Sequence, residues 1–422
     1  MKPATTDTPR PPSNLGPAAV PTSDVGGLPV VLGLVTAVQA LATFTVLALP
    51  SVAPKAAETF GLQPQFLGYQ ISLVYGAGAV LSCYAGVLVR RFGAGSVTVV
   101  ATAVCALGLL GLASGNIALT ALASLLIGAG YGITNPAATH LLVKVTPDHR
   151  RNVIFAIKQA GVPFGGMLAS LLLPWLSVQI GWQWAIALSV LLFVSVAMPL
   201  LARRTRWDGD RDHGAPIAGA GLLGIRAIVA EPTLIALSVL GFCYAGYQFT
   251  LLAFAVTMLV AELGWTLVGA GLVAAAMQVA GIAGRIGWSV LADGTRAGLA
   301  VLAGIGLSTI ALGGAVAGME PGWSTLAVTA LLSALSFCAV GWNGVYMAEA
   351  ARAAGPARAG LATGGLLVFN FSGVIVCPAL YALASKTNGA YAINLAWFTL
   401  LPLIGAGAAT VALRRERQRG RA

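Results

Sequence analysis

Residues 28–50 read LPVVLGLVTAVQALATFTVLALP, a run without a single charged side chain. A helix of about 20 apolar residues crosses a bilayer core of roughly 30 Å, so this run is long enough to span a membrane. The rest of the chain has the same character, because 58% of its 422 residues are hydrophobic and 9% are charged, against about 25% charged in an average soluble protein. This composition excludes a water-soluble fold.

Apolar runs of 18 residues or more predict twelve spans in two sets of six. The first set covers residues 28–50, 66–89, 96–114, 117–143, 153–176 and 181–201. The second covers 233–256, 267–292, 297–316, 324–348, 360–384 and 391–413. We therefore expect an all-α integral membrane fold of two pseudo-symmetric six-helix bundles, 28–202 and 231–413. A disordered cytoplasmic tail (1–27), a cytoplasmic linker (203–230) and a basic cytoplasmic tail (414–422) complete the predicted organisation.

The positive charges predict the orientation. With the N-terminus in the cytoplasm, 20 of the 24 Lys and Arg residues lie on the cytoplasmic side and only Lys55 and Lys386 on the other. This asymmetry follows the positive-inside rule, so we expect both termini in the cytoplasm of a bacterial inner membrane. The basic residues 414–421 then lie beside anionic lipid, which favours a membrane anchor over a nucleic-acid site.

The loops carry a family resemblance. Between spans 2 and 3, Gly86-Val-Leu-Val-Arg90-Arg91-Phe-Gly93 resembles the Gly-x-x-x-Asp-Arg-x-Gly loop of the major facilitator superfamily, with Arg90 in place of the Asp. Between spans 8 and 9, Ser289-Val-Leu-Ala-Asp293-Gly-Thr-Arg296 resembles the second copy and keeps the Asp. The resemblance covers nearly the whole chain and implies a transporter that works by alternating access between two halves.

Two glycine-rich stretches resemble family motifs more weakly. Gly128-Ala-Gly130 in span 4 has Ser124 where the family has an Arg, and Gly161-Val-Pro163-Phe-Gly165-Gly166 in span 5 is similar to a stretch found in exchangers. The alternative is that these residues permit a kink and close helix packing.

Two charged side chains fall inside spans, Lys158 in span 5 and Arg285 in span 8. An ionisable group at this depth is expensive to bury and marks a functional candidate. All acidic residues fall in loops, tails or span ends, so we expect the two cations to be relieved by a bound anion. Arg holds a carboxylate with two parallel hydrogen bonds, which predicts a small organic anion as the substrate.

The family resemblance adds to this hypothesis. It implies that spans 5 and 8 face each other across a central cavity, and Gly284–Asp293 is similar to the monocarboxylate and oxalate/formate branches, where this Arg contacts the substrate carboxylate. Gly281 departs from the monocarboxylate carriers, which have an Asp there. The alternative role for both cations is interhelical bonding, to span-end carbonyls or to Glu349 and Asp293.

Polar side chains at similar depth complete the predicted substrate site, although each could instead bond between helices. They are Gln39, Tyr75, Asn135, Gln159, Tyr244, Gln248, Gln278, Asn343, Tyr346 and Asn370. Gating is predicted from an ion pair of Asp293 with Arg150 or Arg151. Arg90 and Arg91 belong to the corresponding loop of the first half. Because Arg90 stands where the family has an Asp, an equivalent ion pair is not expected there.

Other classes of function have weaker support. The chain has no Gly-x-Ser-x-Gly, His-Glu-x-x-His or Walker loop, so it is not expected to be an enzyme or to bind ATP. An exporter of drugs or cations would need a buried carboxylate, and a non-transporting receptor is a further alternative. The five cysteines lie in apolar runs without CxxC spacing, and no metal or cofactor is expected. The expected partners are the anionic substrate and the bilayer, and the protein is expected to be a monomer. His140 is either a proton relay or a satisfied interfacial histidine.

Overall fold

The computed structural model describes residues 27–64, 67–147, 151–214, 228–229, 231–355 and 359–419. Within these ranges the chain forms helices and no strand, and twelve helices are long and apolar enough to cross a membrane. The predicted fold class is therefore confirmed. Apart from Gly27, the predicted N-terminal tail lies outside the described residues.

The spans are numbered 1 to 12 in chain order, and three of them are interrupted by one or two non-helical residues. Spans 1 to 6 are Leu28–Ser51, Leu67–Phe92, Ala94–Ala113, Ile117–Val145, Arg151–Ile180, and Trp182–Leu188 with Val190–Trp207. Spans 7 to 12 are Pro232–Ala261, Leu267–Thr295, Gly298–Val316, Thr325–Gly341 with Asn343–Ala354, Ala359–Asn388, and Tyr391–Trp397 with Leu400–Arg419. A short helix, Ala53–Phe60, follows span 1.

Side-chain caps fix several span starts close to the predicted positions. Asn116 accepts hydrogen bonds from the second and third backbone N–H groups of span 4, and Thr266 and Ser324 cap spans 8 and 10 in the same way. Such caps satisfy donors that have no partner inside the helix.

Several predicted span ends fall short of the observed helix ends, and two of them change the predicted linker and tail. Span 6 continues to Trp207, so Arg203, Arg204 and Arg206 are helical rather than part of the linker, and span 12 continues through the predicted tail to Arg419. Arg is a good helix former, and a positive charge in the last turn of a helix is stabilised by the helix dipole. A helix therefore continues beyond the point where the apolar sequence stops.

The two halves repeat the same close helix contact. In the first half, a Cβ atom on Gly165 of span 5 would overlap the backbone carbonyl of Ala40 in span 1. In the second half, a Cβ atom on Gly373 of span 11 would overlap the carbonyl of Phe242 in span 7. Only glycine lets the two backbones approach this closely.

A second contact is repeated between the other inner spans. Gly128 in span 4 lies against the carbonyl of Val74 in span 2, and Gly284 in span 8 lies against the carbonyl of Phe337 in span 10. Spans 1, 2, 4 and 5 thus correspond to spans 7, 8, 10 and 11. In the structure, the glycine-rich stretches of spans 4 and 5 permit close helix packing, which was the alternative interpretation of these stretches.

The halves also contact each other at the end of the bundle opposite the linker, which we call the far end. Gly68 at the start of span 2 packs against the carbonyl of Pro378 in span 11. The Ser72 hydroxyl donates a hydrogen bond of 2.5 Å to the carbonyl of Ile375. Gly271 in span 8 lies against Ser170 in span 5. The far end is therefore closed by the 2–11 and 5–8 pairs of spans.

Candidate functional site

A small cavity lies where the two halves meet at mid-depth, and we call it the central cavity. Its volume is about 10 Å³, which is room for about one water molecule. It is lined from the first half by Thr43, Leu47, Val162 and Pro163, and from the second by Gln248, Phe249, Leu252, Gln278, Arg285 and Val340. In this conformation the cavity is too small for a solute larger than water.

Arg285 reaches across the boundary between the halves. One Nη of its guanidinium donates a 3.4 Å hydrogen bond to the backbone carbonyl of Gln159 in span 5. Its Nε is buried and has no hydrogen-bond partner among the described residues. The Tyr131 hydroxyl of span 4 lies near the guanidinium. Arg285 therefore retains donors that a ligand could use.

Lys158 is almost fully buried, with 1% of its surface exposed. Its Nζ donates to the Asn135 side-chain oxygen in span 4 and, over 3.3 Å, to the Gln159 side-chain oxygen. Both acceptors are neutral. Gln159 thus accepts from Lys158 with its side chain and from Arg285 with its backbone, so both cations are bonded to the same residue.

Neither cation forms an ion pair with an acidic side chain in the part of the chain that the structure describes. Glu349, an alternative partner for the cations, is buried and binds Arg352 at 2.8 Å. Asp293, the other alternative partner, is exposed. The interhelical alternative that uses these two acids is therefore wrong, whereas bonding of Arg285 to a backbone carbonyl is observed.

Two more predicted site residues are buried with polar atoms that lack a partner among the described residues. These atoms are Gln39 Oε1 and Gln278 Oε1. Gln248 has its Oε1 occupied, because the indole N–H of Trp342 donates to it over 2.9 Å. Gln248 and Gln278 line the central cavity together with Arg285.

Nine of the twelve predicted site residues lie outside the lining of the central cavity, and four of these nine, Tyr244, Asn343, Tyr346 and Asn370, belong to the second half. The Tyr244 hydroxyl donates to the carbonyl of Leu302 in span 9 over 2.7 Å, and the Tyr346 hydroxyl donates to the Asn370 side-chain oxygen over 3.1 Å. Most buried polar groups are hydrogen-bonded, and these two bonds join spans within the second half. Asn343 is partly buried and is also absent from the lining.

An aromatic group beside the site was not predicted. Tyr75 makes edge contacts with Tyr131, Phe249 and Phe371, with ring centroids 4.7–5.7 Å apart. The group joins spans 2, 4, 7 and 11 and places an aromatic surface near Arg285. Tyr131 lies one helical turn before Asn135, a spacing that could have indicated it.

The predicted gate is only partly described. Arg150 and the side chain of Arg151 lie outside the described residues, so their pairing with Asp293 stays a prediction. The backbone carbonyl of Arg90 accepts a 2.8 Å hydrogen bond from the Asp212 N–H, and the Arg91 guanidinium lies over the Phe92 ring. The first-half loop is thus attached to the beginning of the linker.

The start of the linker also binds spans 3 and 4. Asp208 accepts from the Gly95 N–H (2.7 Å) and the Ser96 hydroxyl (2.6 Å) at the beginning of span 3, where the helix dipole favours an anion. Asp210 binds His140 at 2.8 Å and Lys144 at 2.5 Å. Partial burial raises the pKa of Asp210, but hydrogen bonds from Lys144 and His140 outweigh it and leave the pKa below its ordinary value. His140 is an interfacial histidine with a carboxylate partner.

A model of the Major Facilitator Superfamily matches residues 32–378. The chain belongs to this superfamily. It is a multi-pass membrane protein and a transporter that works by alternating access, which confirms the family predicted from the loop motifs. The family and the structural neighbours indicate a transporter rather than an enzyme.

Solved structures share the fold at low sequence identity. A variant of the nucleoside transporter NupG is 14% identical, with a TM-score of 0.71 over 90% of this chain and 99% of that one. A bacterial homolog of the human lysosomal transporter Spinster, inward-facing and unoccupied, is 16% identical, with a TM-score of 0.69 over 92% and 97%. A variant of the E. coli fucose:proton symporter FucP is 16% identical, with a TM-score of 0.61 over 92% and 99%. Among curated proteins, none matches the chain.

Proposed function

We propose that this transporter carries a small organic anion, a carboxylate, whose charge is neutralised by Arg285 and Lys158. The observation that carries the proposal is the meeting of two buried cations at Gln159, without a carboxylate partner in the described chain. Burying a charge is costly unless it is paired. A bound anion would supply the missing pair for both side chains.

The position of the two cations suits alternating access. Lys158 belongs to the first half and Arg285 to the second, so an anion held between them bridges the halves. Without the anion, the two like charges repel each other in a medium of low dielectric constant. With it, the repulsion becomes attraction. Substrate binding would therefore favour closure of the halves around the substrate, and a cationic cargo would be repelled from the same place.

The same proposal includes the placement in the cell. We place both termini in the cytoplasm of a bacterial inner membrane, on the grounds of the positive-inside asymmetry, and treat the protein as a monomer. The two bundles extend over residues 28–207 and 231–419, and the linker begins at Asp208 rather than at Arg203.

Binding to the purified protein tests the proposal. Mono-, di- and aromatic carboxylates are screened by thermal unfolding, because a ligand that binds the folded state raises its melting temperature. We expect the stabilising acids to lose their effect on Arg285→Gln. Arg417→Gln removes one positive charge from the exposed end of span 12 and should respond like the wild type. Retained stabilisation of Arg285→Gln would contradict the proposal.

A further inference from the structure

Gln278 lies on the same face of span 8 as Arg285. The two residues are seven positions apart, which is two helical turns or about 10 Å, and both line the central cavity. Gln278 is buried, with 2% of its surface exposed. One side of the cavity therefore has a guanidinium at one end and a side-chain amide at the other.

The oxygen of this amide is free to accept a hydrogen bond. The Gln278 Nε2 lies against Gly166 of span 5, whereas Oε1 has no partner in the described chain. Gln278 also lines a second cavity of about 10 Å³ towards the far end, and it shares Leu47 and Leu252 with both cavities. A buried acceptor without a partner is costly, so this oxygen is where a ligand donor would be stabilised.

The amide of Gln248, which also lines the central cavity, offers a ligand a hydrogen-bond donor rather than an acceptor. Gln248 Oε1 accepts from the Trp342 indole N–H, which is a donor only. This bond fixes the orientation of the Gln248 amide and leaves its Nε2 to donate. Arg285 and Gln248 thus offer donors to a carboxylate, while Gln278 offers an acceptor. Phe249, Leu252 and Val340 form the apolar wall of the same cavity.

We propose, building on the proposed function, that the substrate carries a hydroxyl group at the end opposite its carboxylate, and that this hydroxyl donates to Gln278 Oε1. An ammonium group could donate as well, but Lys158 and Arg285 give this region a positive potential that disfavours a second cation. A neutral hydroxyl is compatible with that potential. The substrate class is a carboxylic acid with an apolar body and a terminal hydroxyl group.

Two pairs of acids test the inference by calorimetric binding to the purified protein. They are 4-hydroxybenzoate with benzoate and 4-hydroxybutyrate with butyrate, which differ within each pair by the hydroxyl alone. For the better-bound pair we expect the hydroxy acid to bind at least about 10-fold more tightly, because its absence leaves Gln278 unsatisfied. In Gln278→Met, which keeps the side-chain length but not the amide, the preference should fall to within about twofold.

A second buried glutamine provides the control. Gln70 in span 2 also has an amide without a described partner but lies outside the lining of the central cavity, so Gln70→Met should keep the preference. Equal binding within both pairs, or a preference that persists in Gln278→Met, would overturn the inference while leaving the anion proposal in place. If no acid binds the wild type, or if Arg285→Gln binds as the wild type does, the proposed function fails and the inference fails with it.

Discussion

The substitution Lys158→Met distinguishes a ligand-binding lysine from one that only holds helices together. It removes a buried ammonium whose desolvation costs several kcal/mol, and it also removes two hydrogen bonds from a charged donor, worth roughly 1.5–3 kcal/mol each. These opposing contributions are of similar size because both acceptors, Asn135 and Gln159, are neutral. We therefore expect the melting temperature of the variant to stay within about 3 °C of the wild type.

The effect on ligand binding should be much larger. Removing one partner of a buried charge pair costs about 2–5 kcal/mol, so the affinity for a carboxylate should fall by at least about 30-fold. The assay is thermal unfolding followed by tryptophan fluorescence at increasing concentrations of an acid that stabilises the wild type. The stabilisation should be lost in Lys158→Met over the concentration range that saturates the wild type.

Lys144 provides a contrast, because it already has a partner. Its Nζ binds Asp210 at 2.5 Å, so Lys144→Met should lower the melting temperature and leave the response to the acid unchanged. The reasoning is refuted if Lys158→Met behaves like Lys144→Met, with a clear loss of stability and full stabilisation by the acid.

Three further predictions follow from the packing, the linker and the cavity. Gly165→Ala should lower the melting temperature, since its Cβ overlaps a backbone carbonyl and overpacking costs about 1–3 kcal/mol, whereas Gly76→Ala, with open space at its Cβ, should leave it equal or raise it. The pKa of Asp210 is lowered in the folded state, so its contribution to stability is present above the unfolded pKa and is lost as the pH falls through the folded value. Asp210→Asn should therefore melt below the wild type at pH 7, and the difference should shrink as the pH falls below about 4 towards the lowered pKa of the folded state; a difference that stays constant over this range would contradict this. Trp342→Phe removes the bond that orients Gln248 and should weaken acid binding by about 10-fold in calorimetry, and unchanged affinity would count against an orienting role.

The spans could be predicted from sequence because each transmembrane helix must satisfy its own backbone hydrogen bonds in lipid, so apolar length alone indicates it. The ends at Trp207 and Arg419 could not, since a helix that leaves the membrane becomes charged without ceasing to be a helix. The length of an apolar run indicates how much of a helix lies in lipid. It does not indicate where the helix ends, because these helices continue into charged residues outside the lipid.

The site was predictable where charge indicated it and not elsewhere. Lys158 and Arg285 are recognisable because a charge is rare in a span. Tyr131 and Phe249 were missed because aromatic residues are common in apolar helices, and only the rotation of spans 4 and 7 shows which rings lie beside the cavity. The hydrogen bond between Tyr346 and Asn370 could not be predicted, because the two residues are 24 positions apart and lie on different spans. Without knowledge of this bond, Tyr346 was assigned to the substrate site.

The central claim is that Lys158 and Arg285 bind an anionic substrate for transport. Uptake into proteoliposomes tests this claim most directly. The wild type, Arg285→Gln and Arg417→Gln are reconstituted at equal protein content, and entry of a radiolabelled carboxylate that stabilises the purified protein is measured. The account predicts saturable uptake by the wild type and Arg417→Gln, and uptake by Arg285→Gln at the level of protein-free vesicles. Saturable uptake by Arg285→Gln at the wild-type rate would contradict it.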